Sequence, residues 1–162
     1  MPQPNIIAYL MLLAWPFVAW QLFRRLDPAR ALIWTILAGY LLLPPLARFN
    51  FPVVPDFDKD SIPSLMTLFC AVFLLKDRIG ILPDSHLGKL LIVGFVLAPF
   101  MTVLTNTDPI TFSNAPDLPG MRVYDSAAAI ANQAIVVIPF FLARRYLAGE
   151  DGMRLLLLAM IS

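Results

Sequence analysis

The sequence predicts an all-α protein: a polytopic bundle of transmembrane helices, with five spans and the start of a sixth. Three observations carry this. The 162 residues are 59% hydrophobic and 14% charged, with a mean hydropathy of +0.76. Soluble domains carry about 25% charged and about 45–50% apolar residues. The apolar residues are also gathered into five stretches without a charged side chain, at 1–23, 31–47, 61–75, 90–107 and 126–143. Finally, the basic residues alternate between successive connectors, as the positive-inside rule demands.

A bilayer-spanning helix needs ~20 mostly apolar residues, with a range of about 17–25. Four of the stretches reach that range. The fifth, 61–75, has 15 residues and rises only ~22 Å; it spans if Asp60 and Lys76 lie at the interfaces and Lys76 snorkels, and a re-entrant segment is the alternative. The spans are expected at about 5–23, 28–45, 60–76, 87–105 and 126–146, with a partial helix at 150–162.

Span one contains Pro16, which removes a ladder hydrogen bond and is expected to kink it, and Trp15 falls near mid-span, where packing against another helix is expected. Arg24 and Arg25 end it. Asp27-Pro28 reads as N-cap and N1 of span two, which Pro44-Pro45 ends. The connector that follows holds Pro44, Pro45, Pro52 and Pro55, so an extended, hydrogen-bond-poor backbone is expected there. Phe49, Phe51, Val53, Val54 and Phe57 make it apolar for a solvated loop. Asp56, Asp58, Lys59 and Asp60 form its polar tip, and Asp60 or Ser61 is placed to cap span three.

The second connector carries Lys76, Asp77, Arg78, Asp84, His86 and Lys89. His86 has no neighbouring Cys, His or Glu cluster and reads as a solvated loop residue rather than a metal ligand. Span four contains Gly94 and Pro99. A connector over 106–125 follows, rich in turn formers such as Asp108-Pro109 and Pro119-Gly120. Asp125 or Ser126 is expected to cap span five. In that span Ala127 and Ala131 have the small-xxx-small spacing of close helix packing, and the amides Asn132 and Gln133 should face a bundle interior or a cavity. Pro139 is expected to kink the span near its inner end. Gly149 reads as a helix stop, and Glu150-Asp151 open a further helix with acids in the first turn. That helix is still apolar at Ser162, so a longer chain is expected and 1–162 reads as one transmembrane domain fragment.

Connectors after spans one, three and five hold Arg24, Arg25, Arg30, Lys76, Arg78, Lys89, Arg144, Arg145 and Arg154; the other two hold Arg48, Lys59 and Arg122. Nine against three places the N-terminus and the loops at 48–60 and 106–125 outside. In a bacterium that side of the inner membrane is the periplasm. The net charge of +1 gives no ground for nucleic-acid binding. The single cysteine, Cys70, lies in an apolar run and reads as a small buried hydrophobe.

The chain lacks a P-loop, a dinucleotide-binding glycine pattern, GxSxG and metal-ligand spacing. Candidate chemistry is therefore confined to the outer loops, with Asp56, Asp58, Lys59 and Asp60 in one and Arg122, Tyr124 and Asp125 in the other. Lysine and arginine suit phosphate or pyrophosphate; carboxylates suit sugar hydroxyls. The competing reading is that these are helix caps and solvated charges.

The strings GYLLLPPLARFNFPVVPDFDKDSIPSL at 39–65, LTNTDP at 104–109 and PGMRVYDSAAAIANQAIVVIPFFLARRYL at 119–147 resemble the N-terminal part of bacterial O-antigen ligases and polysaccharide polymerase-like membrane proteins. The resemblance implies a helical glycosyltransferase of lipopolysaccharide or exopolysaccharide biosynthesis. Its donor would be an undecaprenyl-pyrophosphate-linked glycan, its acceptor a glycan or lipid A-core, and neither a metal nor another cofactor would be needed. It also implies that the catalytic residues lie beyond Ser162, so the segment in hand would be inactive alone and would work with the remainder of its own chain. Two other classes stay open on the sequence: a transporter or flippase segment, and a structural assembly protein.

Overall fold

A computed structural model describes residues 5–51, 54–76, 80, 82–112 and 117–161. It is mostly helical: α1 (Ile6–Arg25), α2 (Pro28–Leu42), α3 (Ser61–Phe69), α4 (His86–Thr105), α5 (Val123–Tyr146) and α6 (Glu150–Ile161). Two short strands, β1 (Phe49–Phe51) and β2 (Val54–Phe57), pair as a two-stranded sheet between α2 and α3. The all-α expectation therefore misses one hairpin. The paired strands also correct the hydrogen-bond-poor backbone expected of that connector.

Three helices, α1, α4 and α5, are long and apolar enough to cross a membrane. Five such spans are not supported. α2 has 15 residues, because the Pro44-Pro45 pair stops the helix before the uncharged stretch ends. α3 has 9 residues and passes into a π-helical turn over Cys70–Leu74, where the Leu75 N–H donates to the Cys70 carbonyl. Lys76 follows with a positive φ of 52°, a left-handed stop that a non-glycine residue adopts at a cost of roughly 1–2 kcal/mol. α4 runs without a break through Pro99, and α1 and α5 through Pro16 and Pro139.

The helix starts refine the expected caps. Asp27 is the N-cap of α2 with Pro28 at N1, but its carboxylate makes no cap hydrogen bond. Asn5 caps α1, its side chain accepting from the Ala8 N–H at 2.9 Å. Ser85 caps α4 through the Gly88 N–H. α5 starts at Val123, before the expected cap at Asp125 or Ser126, because Asp125 acts from inside the first turn (below). α6 opens at Glu150 after the Gly149 bend, as expected.

The described chain divides into two compact units. The first draws on Met1–Asn50, Asp56–Ile81 and Ile135–Ser162; the second on Phe51–Pro55 and Leu82–Ala134. In the first unit, α1 buries Ala8, Leu12, Trp15, Ala19 and Phe23, spaced at three or four residues so that they share a stripe. Trp15 packs in a cluster with Leu12, Leu43, Ala47 and Ile62, as the mid-span position suggested. Gly39 of α2 is what lets α3 close in: a Cβ there would lie 2.5 Å from Pro63 Cγ and 3.3 Å from Trp15 Nε1. A second cluster joins Phe23, Leu32, Cys70, Ala71 and Leu142. Cys70 is buried there, as read from the sequence.

Outward-facing positions are apolar as well. Ile6, Leu10, Leu13 and Phe17 of α1 are exposed, Phe17 at 78%. α4 buries Val103 and exposes Leu87, Leu90, Leu91, Leu97 and Met101. Helices apolar all round suit a lipid surface and would be a liability in water.

In the second unit, the 106–121 connector is pinned at its neck. Ile110 and Leu118 exchange two backbone hydrogen bonds of 2.9 Å, and the Met121 N–H donates to the Asn106 carbonyl at 3.0 Å. Gly120 is required there, since any Cβ would collide with the Thr107 carbonyl oxygen.

Candidate functional site

Polar groups of 48–50 and 56–64 hold one another in place. Arg48 pairs with the Asp56 carboxylate at 3.3 Å, and the Asn50 amide donates to the same carboxylate at 2.9 Å. Asn50 of β1, Asp56 of β2 and Arg48, which just precedes β1, are thereby joined on one side of the hairpin. Phe49 and Phe57 instead pack against the Trp15 cluster.

Beyond the hairpin the chain turns into α3 around Asp58. Its carboxylate oxygen accepts from the Asp60 N–H at 3.0 Å, the Ser61 N–H at 2.9 Å and the Ser61 hydroxyl at 2.9 Å. Two orphan amides at the helix start are thereby satisfied. Asp60 holds the N-cap position yet makes no side-chain cap bond, so the capping role expected of Asp60 or Ser61 belongs to Asp58. Ser64 donates to the Asp60 carbonyl and Thr67 to the Pro63 carbonyl, which hides both hydroxyls within their own helix. Lys59 is half-buried and Asp60 exposed.

The second set of candidates opens α5. The Asp125 carboxylate accepts from the Arg122 backbone N–H at 2.7 Å. This is half of a capping box: an acid three positions into the helix reaches back to the residue before it. The acid also lies at the positive end of the helix dipole. Arg122, Tyr124 and Asp125 are all exposed. An open groove of about 330 Å³ in the same unit is bordered by Pro99, Thr102, Met121, Asp125, Ala129 and Gln133. Gln133 therefore lines a cavity, one of the two roles foreseen for it, while Asn132 is exposed.

Asp58, Lys59 and Asp60 thus stand together in the first unit, and Arg122, Tyr124 and Asp125 together in the second. Two of the six, Asp58 and Asp125, are already engaged by backbone amides and act as braces. The sequence reading singled out Asp56 but missed Arg48 and Asn50, which pair with it. Their signal was the R-F-N-F alternation, a period of two that reads as strand. Among the described residues no group of three or more His, Cys, Asp or Glu side chains is placed to hold a metal ion. His86 is exposed as the first residue of α4.

The fold defines a class: a mostly helical chain with three helices long and apolar enough to cross a membrane. Comparison with protein-family models, with curated proteins and with solved structures gives no match.

Proposed function

We propose that the chain is the membrane-embedded front part of a bacterial inner-membrane enzyme that ligates or polymerises glycans. The donor is an undecaprenyl-pyrophosphate-linked oligosaccharide at the periplasmic face, and the acceptor a glycan or lipid A-core. The segment crosses five times and begins a sixth span, with its N-terminus outside. The resemblance over 39–65, 104–109 and 119–147 carries this reading. The nine-to-three partition of basic residues supports the orientation, and the apolar exterior of α1 and α4 supports the membrane setting.

In this reading Lys59 of the first unit and Arg122 of the second are each suited to a pyrophosphate, since each offers cationic donors for phosphate oxygens. Asp60 and Tyr124, in their separate loops, each suit sugar hydroxyls. Asp58 and Asp125 hold the two segments in shape through the backbone bonds described above. The bond-making groups lie elsewhere in the enzyme, so this segment contributes binding rather than chemistry.

The test is Arg122→Ala in the complete enzyme. Glycan transfer should fall at least tenfold, the effect of losing roughly 1.4 kcal/mol of a charge-assisted contact, with membrane insertion and expression unchanged. Full transfer at normal expression overturns the role of Arg122.

A further inference from the structure

α2 and α6 leave an open groove of about 240 Å³ between them, within the first unit. It is lined by Arg30, Ile33, Trp34, Leu155, Leu158 and Ala159. One lining residue is a cation and the rest are apolar.

Arg30 is the third residue of α2 and stands just past Arg24 and Arg25 at the end of α1. This is the basic-rich side assigned to the interior. At ~1.5 Å per residue, Ile33 and Trp34 lie about 5–6 Å further along α2. On α6, Leu155, Leu158 and Ala159 lie about 8–14 Å from Glu150 by the same rise. Both helices start on that side, so the groove has a charged mouth near headgroup depth and an apolar floor beyond it. The Arg30 side chain is exposed and has no ion pair with Asp27, Glu150 or Asp151. Trp34 is 41% exposed, its indole forming part of the wall.

We propose that this groove binds an anionic phospholipid, with the headgroup phosphate on Arg30 and one acyl chain along Trp34 and Leu158. A guanidinium offers two parallel N–H donors to a phosphate. Basic pockets between transmembrane helices on the cytoplasmic side take anionic headgroups in this way. The inference needs the membrane placement, the orientation and the entry of α2 and α6 into the bilayer, and is independent of the glycan chemistry.

The test uses the whole protein in phosphatidylcholine nanodiscs doped with brominated phosphatidylglycerol or, at equal mole fraction, brominated phosphatidylcholine. The Trp34 signal is the difference between wild type and Trp34→Phe. Brominated phosphatidylglycerol should quench it at about fivefold lower mole fraction, the preference expected of one basic contact. Arg30→Gln, with an unchanged circular dichroism spectrum, should erase that preference. Equal quenching by both lipids in the wild type overturns the proposal without any variant having to fold. So does a preference that survives Arg30→Gln, or one that free inorganic phosphate abolishes. Failure of the protein to float with liposomes would instead remove the membrane placement itself.

Discussion

Thr35 is wholly buried in α2, and its hydroxyl has no hydrogen-bond partner among the described residues. A helical threonine normally returns its proton to the carbonyl four residues back, as Thr67 does to Pro63. A buried polar group left unpaired costs roughly 1–3 kcal/mol. Thr35→Val keeps the branched shape and deletes the hydroxyl, so it should stabilise the protein by about 1 kcal/mol. Reversible unfolding in mixed micelles measures this; a loss of stability would mean that the hydroxyl does hold a bond. Nothing in the sequence flagged Thr35, because burial depends on which face of α2 meets its neighbours. Trp15 was legible, since a tryptophan at mid-span must pack against protein or lipid. Gly39 gives no local sign of being the contact point. That role follows from Pro63, 24 positions later in the chain, and no local pattern connects the two.

At the level of elements, the join between hairpin and α3 shows what local chemistry can and cannot settle. Asp56, Asp58 and Asp60 all precede the helix, and each is a good capping residue. Which one caps depends on the angle at which β2 delivers the chain. Asp56 is committed to Arg48 and Asn50, which leaves Asp58 facing the Asp60 and Ser61 amides. Asp58→Ala should therefore cost about 1–2 kcal/mol, the range for a lost helix cap, whereas Asp60→Ala should cost well under half of that. Parallel unfolding of the two variants decides it; equal losses, or a larger one at Asp60, would contradict the assignment of the cap. The helix starts at Pro28 and Glu150 were legible because proline at N1 and acids in a first turn act locally. The start of α5 was not, because Asp125 reaches back to Arg122 rather than forward.

For the whole molecule, the number of crossings follows from the position of one loop. Counting five spans or three leaves α1, α4 and α5 with the same orientation, because α2 and α3 form a pair that either crosses twice or does not cross. The loop between that pair is thus the discriminating segment. α2 and α3 with its π turn rise only ~21–22 Å, short of a ~30 Å hydrocarbon core. If the pair entered the bilayer without crossing, Arg48, Asp56, Asp58, Lys59 and Asp60 would sit in lipid. Each charge near the bilayer centre costs about 2.5–3.5 kcal/mol or more, whereas local thinning costs fractions of a kcal/mol per Å. Against a re-entrant pair, the proposed five-crossing arrangement with a thinned bilayer is the cheaper one. Lys59→Cys in intact cells should then react with a membrane-impermeant maleimide, while Ala148→Cys, at the bend before α6, should react only after permeabilisation. Buried Cys70 gives little background. Labelling at both positions only after permeabilisation would place the 48–60 loop inside. That outcome would leave three crossings and separate Lys59 from Arg122 by the thickness of the membrane.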